Sequence, residues 1–167
     1  MEAPRPAFGR DRGVAQQGCA RGKAVLTLNV FLDSSALAKR YVQELGSDRV
    51  EQILSSASSL GVSVICLSEV VSALCRRCRE GKLSKQQYLK AKQALFEDIE
   101  DSSVINLTDQ VMARAVVLLE RWPLRSSDSL HIACAAEWSA ELLVSADEKQ
   151  CAAARAYGLK VEELPVG

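Results

Sequence analysis

The sequence lacks an excess of either charge: its 167 residues include 21 basic and 21 acidic side chains. A formal charge of zero excludes a protein that gathers nucleic acid through a global basic field. Histidine occurs once, and only three phenylalanines, two tryptophans and three tyrosines are present. If the protein binds a polyanion, local charges or bound cations should therefore contribute more than aromatic stacking.

Long apolar runs and phosphate-binding glycine loops are also missing. No uncharged stretch reaches the roughly 20 apolar residues of a membrane-spanning helix. The first residues contain Glu2 and scattered arginines rather than the apolar run of a secretory signal. The glycines fit neither a P-loop nor a dinucleotide-binding pattern. We therefore expect a cytoplasmic protein with no membrane contact, in which the six cysteines stay reduced.

Composition divides the chain into two parts. Residues 1–24 are rich in glycine and proline, carry a net charge of +3 and have little periodicity, which predicts a flexible N-terminal tail. Residues 25–167 carry a net charge of −3 and are predicted to form the folded domain. An apolar content of 48% over this length is typical of one globular domain.

Short apolar segments alternate with amphipathic ones throughout residues 25–167. Helix starts are predicted at Ser68, at Ser84 with Gln87 as a capping box, and at Thr108. Because one or two helices separate successive strands, the pattern predicts an α/β protein, a three-layer α/β/α sandwich with a central, mainly parallel five-stranded sheet. The five predicted strands are residues 25–32, 62–67, 104–107, 141–145 and 160–164.

Four acidic residues fall at similar places in this pattern. Asp33 ends the first predicted strand, and Glu69 and Asp147 each follow a strand by two residues. Asp128 lies in the first turn of a predicted helix. Ligands of open α/β sheets bind outside the carboxyl ends of the strands, so these side chains could converge there. Each acid alone could equally be a helix cap or a dipole partner. Asp33 is the strongest candidate, because the serines that follow it could cap the helix instead.

A cluster of carboxylates is unfavourable without a cation, because like charges repel. Oxygen ligands without paired histidines or cysteines favour Mg²⁺ or Mn²⁺ over zinc. Such ions also accept phosphate oxygens as ligands, which suits phosphodiester hydrolysis.

Four motifs around these acids resemble those of PIN-domain ribonucleases, and most closely those of VapC-like toxins of type II toxin–antitoxin systems. The resemblance extends from about Leu26 to Leu164. The motifs are residues 31–39 (FLDSSALAK), 67–74 (LSEVVSAL), 125–133 (RSSDSLHIA) and 144–147 (VSAD).

This resemblance implies a PIN-like fold and a Mg²⁺-dependent endoribonuclease. Asp33, Glu69 and Asp128 would be the main metal ligands, and Asp147 would be the fourth acid. Ser34 stands where the family often has a hydroxyl that hydrogen-bonds the site, and so does Ser145. The resemblance also implies an RNA substrate, an antitoxin partner and a homodimer.

A dense basic segment could add an RNA contact beside the acids. Its alternative interpretation is a solvated helical surface. The candidate RNA-binding residues are Arg76, Arg77, Arg79 and Lys82. His131 is interpreted as a neutral core residue or a support for the site, with base or metal ligand as the alternative. Cys75 and Cys78 have no second cysteine pair, so they are interpreted as packing thiols.

Two other functions remain open at the level of sequence. A catalytically inactive PIN-like module could act by binding a partner. A phosphatase or phosphotransferase could use Asp33 as nucleophile, although residue 35 is serine where such enzymes usually have a second aspartate.

Overall fold

The computed structural model describes residues 28–166. The predicted tail, residues 1–24, lies outside the described residues, as do residues 25–27 of the first predicted strand. The elements are β1 (Asn29–Leu32), α1 (Ser34–Ala38), α2 (Ser47–Ser56), β2 (Ser59–Ser63), α3 (Cys66–Arg79), α4 (Lys85–Glu100), β3 (Ser103–Ile105), α5 (Asp109–Arg121), α6 (Ser126–Glu137), β4 (Leu142–Ser145), α7 (Glu148–Tyr157) and β5 (Val161–Glu163).

The five strands form one sheet in the order β3-β2-β1-β4-β5. All four neighbouring pairs are parallel, so the predicted α/β/α class is confirmed and the sheet is wholly parallel. Strand β1 is central, and the chain leaves it towards β2 on one side and returns to β4 on the other. Ligand sites of open parallel sheets form at such a switch point.

Two apolar cores lie on opposite faces of the sheet because side chains alternate along each strand. In β1, Val30 and Leu32 belong to the core that α1, α2, α3 and α4 cover. Phe31, between them, belongs to the core formed with α5, α6 and α7. These two helical layers place the N-termini of α1, α6 and α7 beside the carboxyl edge of the sheet.

Two of the predicted helix caps are confirmed. Ser84 and Gln87 form a reciprocal capping box at α4, and Thr108 accepts a hydrogen bond from the Val111 amide at α5. Gly158 ends α7 in the left-handed conformation, with a φ of 107°. These contacts are local, so the sequence pattern alone is sufficient to predict them.

The predicted second strand was wrong in position. The strand spans Ser59–Ser63 rather than residues 62–67, and α3 begins at Cys66. Ser68 is therefore no N-cap: it lies inside the first turn, and its hydroxyl donates to the Ile65 carbonyl. A glycine often ends a segment, but Gly61 lies inside the strand, where Trp138 occupies the space that a side chain would need.

The segment after Asp33 predicts a helix that continues to about Gly46, but α1 ends at Ala38. The next residues, Lys39 and Arg40, are buried and reach charged partners. Lys39 Nζ donates to Glu44 and to the Leu45 carbonyl. Arg40 donates to Asp98 of α4 at 3.2 Å, a tertiary contact made from the turn that follows Ala38.

The structure bears on two expectations, the lack of a membrane-spanning helix and the lack of disulfides. Among residues 28–166, no helix is both long and apolar enough to span a bilayer. The five cysteines in that range form no disulfide with one another. Cys75 contacts the Tyr88 hydroxyl and Cys78 packs against the core, as expected of packing thiols.

Candidate metal centre

The four acids line one cavity of about 340 Å³ at the carboxyl edge of the sheet. Asp33 follows β1 directly, and Asp147 follows β4 by two residues, as expected. Glu69 comes from the first turn of α3, six residues after β2, and Asp128 from the first turn of α6. Four separate elements therefore supply the carboxylates.

Asp33 is the most enclosed acid, with 3% of its surface exposed. It caps α1 by accepting from the Ala36 amide at 2.8 Å, so the capping role assigned to the following serines belongs to Asp33 itself. Ser35 donates to both carboxylate oxygens, and Ser145 Oγ donates to Oδ2 at 2.7 Å. Burial raises the pKa of Asp33, while the charge of His131 and these hydrogen bonds act against that shift.

Glu69 is held by two neighbours. His131 Nε2 lies 2.7 Å from Glu69 Oε2, and the Ser34 hydroxyl donates to the same oxygen. The hydrogen bond with His131 is the main cause that lowers the pKa of Glu69 to about 2. His131 therefore supports the site through Glu69, and its own Nδ1 is buried without a hydrogen-bond partner.

Asp128 and Asp147 share one cation from the chain. Arg125 Nε and Nη2 donate to the two oxygens of Asp128 at 3.0 and 3.1 Å. Arg125 Nη2 also donates to Asp147 Oδ2 at 2.8 Å. Asp147 caps α7 through the Gln150 amide. The hydrogen bond to Asp128 raises the pKa of the Arg125 guanidinium.

The expected hydroxyls both contact acids. Ser34 binds Glu69, and Ser145 binds Asp33 while accepting from the Asp147 amide at 3.0 Å. Ser35, which sequence analysis considered only as a cap, holds both oxygens of Asp33 and accepts from the Ala146 amide.

Only part of the basic segment, which runs from the last turn of α3 to Lys82, reaches the cavity. Arg76 and Arg77 line the cavity, whereas Arg79 and Lys82 do not. Arg77 forms an ion pair with Glu44, and Lys82 pairs with the nearby Glu80 at the exposed end of the helix. Lys39 also lines the cavity, with its ammonium group bound to Glu44.

The role of Arg125 was not predicted. Arg125 is the first residue of the motif at 125–133. Its contact with both Asp128 and Asp147 arises because α6 and α7 begin side by side. That proximity is a property of the sheet order, and nothing in the local sequence reports it.

The donor chemistry fits a hard divalent cation, since five carboxylates and three serine hydroxyls line the cavity together with four basic side chains. Within residues 28–166, however, no three histidine, cysteine or acidic side chains are grouped closely enough to hold a metal ion. Two of the four acids are engaged by Arg125. Metal binding by all four acids therefore requires movement of Arg125.

A wholly parallel α/β/α sandwich with four acids at its switch point defines the class of α/β domains whose sites lie at the carboxyl ends of strands. Residues 30–156 match the family model of the PIN domain. The chain belongs to the PIN domain family.

Solved structures of low sequence identity share the fold. The Mycobacterium tuberculosis toxin VapC20, described as cleaving the sarcin–ricin loop, is 18% identical with a TM-score of 0.60, covering 78% of this chain and 95% of its own. A DNA-bound VapBC from Salmonella typhimurium is 14% identical with a TM-score of 0.61, covering 82% and 98%. A toxin–antitoxin complex from Klebsiella pneumoniae is 18% identical with a TM-score of 0.57, covering 74% and 90%. No curated protein matches the chain by sequence.

Proposed function

We propose that this chain is an endoribonuclease dependent on Mg²⁺ or Mn²⁺, and that it is the toxin of a toxin–antitoxin pair. One observation carries the proposal: four carboxylates from separate elements line one cavity together with Arg76 and Arg77. Membership of the PIN family and the fold shared with VapC20 support the same activity.

Asp33, Glu69, Asp128 and Asp147 would hold the cation. When bound, it would supply positive charge and Lewis acidity at the phosphodiester. The chain's own residues would fix the ligands: Ser35 and Ser145 orient Asp33, and Ser34 with His131 orients Glu69. The low pKa of Glu69, about 2, keeps that carboxylate ionised at neutral pH.

The backbone of RNA would enter beside α3. Arg76 and Arg77 supply positive charge at the cavity wall, which is the local attraction that a chain of zero net charge needs. Base stacking would contribute little, because no phenylalanine, tyrosine or tryptophan lines the cavity.

The activity is tested by incubating total bacterial RNA with the protein and Mg²⁺ or Mn²⁺, and mapping new 5′ ends. We expect discrete cleavages that leave 5′-phosphates, are absent in EDTA and are absent with Asp33→Asn. Asp109→Asn is the matched control, because Asp109 is an exposed first-turn acid of α5 outside the cavity. Cleavage that survives EDTA or Asp33→Asn contradicts the proposal.

The two other functions give different results. A binding module without catalysis would show no Mg²⁺ or Mn²⁺ binding by calorimetry. An Asp33-dependent phosphatase would give a phospho-aspartyl adduct at Asp33. The geometry favours neither, and four hydrogen bonds from three donors already engage the Asp33 carboxylate.

The partners follow from the same proposal. The antitoxin would be encoded beside this gene, and its coexpression should relieve growth arrest caused by this chain.

A homodimer is supported by exposed apolar residues on one face of α5, Met112, Val116 and Leu119. Sedimentation with and without Val116→Glu tests the dimer. The expected location, the cytoplasm, is where its RNA substrate would be.

A further inference from the structure

Arg125 links the beginnings of two helices across the candidate metal centre. Its guanidinium makes a two-pronged contact with Asp128, at 3.0 and 3.1 Å, and a third hydrogen bond of 2.8 Å with Asp147. Its side chain is 72% exposed, so the contact lies at the mouth of the cavity.

These contacts engage three carboxylate oxygens that a divalent cation would need. Both oxygens of Asp128 and one oxygen of Asp147 accept from Arg125. A guanidinium bound in this manner offsets the repulsion between the two acids. A guanidinium and a divalent cation at the same carboxylate oxygens would repel each other strongly, so the two compete for this position.

A second cavity, of about 520 Å³, lies on the other side of this contact. Both cavities are lined by Arg125, Asp128, Ala146 and Asp147. Arg125 is therefore at the boundary between them. Rotation of its exposed side chain would remove part of the wall between them.

We propose that Arg125 is an internal cation that occupies the Asp128–Asp147 half of the metal centre and is displaced when a divalent cation binds. The inference rests on the proposed function, since it assumes that these acids bind metal. The start of α6 keeps one of its contacts after the displacement, because the Asp128 carboxylate also accepts from the Arg125 backbone amide at 3.0 Å, independently of the guanidinium. Without metal, Arg125 would hold Asp128 and Asp147 close together. With metal bound, the displaced guanidinium would leave the wall between the two cavities.

The first test is the affinity for Mn²⁺, measured by calorimetry on the full chain. Arg125→Gln removes the competing charge, and we expect it to bind Mn²⁺ roughly tenfold more tightly than the unaltered chain. Arg125→Lys keeps a cation and should stay within about threefold of it. Arg121→Gln is the matched control: Arg121 is exposed, lies outside both cavities and changes the net charge equally.

The second test is the Arg125 Nε–Hε resonance, assigned by its loss in Arg125→Gln. We expect this signal to shift when Mg²⁺ is added to the unaltered chain, because the guanidinium leaves Asp128. A merely structural arginine would keep its resonance while metal binds elsewhere in the cavity.

The outcomes separate the inference from the proposed function. If the chain binds Mn²⁺ but Arg125→Gln binds equally or more weakly, Arg125 is not a competitor and the inference is overturned while metal dependence stands. If the Arg125 Nε–Hε resonance does not shift when metal binds, the inference is likewise overturned while metal dependence stands. If none of the four proteins binds Mn²⁺, metal dependence fails and the inference fails with it.

Discussion

His131 Nε2 lies 2.7 Å from Glu69 Oε2, and this contact joins α6 to α3 across the candidate metal centre. The imidazole is nearly inaccessible to solvent, whereas a third of the Glu69 side chain is exposed. His131 therefore fixes the position and the charge of a candidate ligand without lying at the open side of the cavity.

Replacing His131 with glutamine should raise the pKa of Glu69 from about 2 towards its ordinary value of 4.5. A carboxyl group with a lowered pKa stabilises the fold above its unfolded pKa and loses that contribution as the pH falls through its folded pKa. The unaltered protein should lose this contribution between about pH 4.5 and pH 2, and His131→Gln should lose less in that window. Titration of the Glu69 Cδ signal and acid unfolding measure both effects. An unchanged Glu69 titration in the variant would contradict the assignment.

Asp33→Asn should abolish cleavage and make the metal-free protein more stable. Burial raises the pKa of Asp33, so the ionised group is costly in the fold at neutral pH, and the cost falls as the pH drops through that raised pKa. Asparagine keeps the helix cap without the charge. We expect the free energy of unfolding to rise by about 1 kcal/mol at neutral pH.

Urea unfolding in EDTA measures that gain, with Asp109→Asn as the exposed control. The pH dependence of stability should also be flatter in Asp33→Asn. A variant less stable than the unaltered chain at neutral pH would mean that the hydrogen bonds to Asp33 outweigh its burial.

Asp98 stabilises the fold away from the candidate site. It accepts from Arg40 at 3.2 Å and from the Tyr41 hydroxyl at 2.8 Å, and the Arg40 side chain is 2% exposed. Asp98→Ala should therefore lower the free energy of unfolding by about 3 kcal/mol, because a buried cation loses its principal partner. Asp101→Ala, an exposed acid of the same helix end, should cost less than about 0.5 kcal/mol. Urea unfolding of the two variants provides the comparison, and equal losses would contradict this role.

Local chemistry explains what the sequence could predict. Strand ends and helix starts are marked by side chains close to them in the chain, so the positions of Asp33 and Asp147 and the capping box of Ser84 were predictable. The fold class followed from the alternation of strands and helices.

Tertiary packing explains the errors. Gly61 has the local character of a chain breaker, but it lies within β2 because Trp138 covers it. The acids near the end of α4 oppose the helix dipole, yet Asp98 is needed by Arg40, far away in the sequence. Arg125 reaches Asp147 across 22 residues. None of these contacts has a signal in a short sequence window.

Gly61→Ala should destabilise the protein by about 1–3 kcal/mol. A Cβ at this position would lie 2.5 Å from Trp138 Cε3, and the ring cannot retreat easily because it also packs against Phe31, with centroids 6.4 Å apart. The loss should be smaller when the same change is made in a Trp138→Leu background. A double-mutant cycle by urea unfolding measures the coupling, and additive effects would contradict the clash.

Arg76→Gln should weaken RNA binding without reducing the maximal rate of cleavage. Arg76 is exposed and lines the cavity, so it can approach a phosphate beside the acids. Arg79 is also exposed, on the same helix, but lies outside the cavity, which makes Arg79→Gln the matched control. We expect KM to rise several-fold for Arg76→Gln, with the salt dependence of binding reduced by about one phosphate contact. Equal effects of the two substitutions would indicate that RNA binds to the basic surface of the helix in general rather than through Arg76 at the cavity.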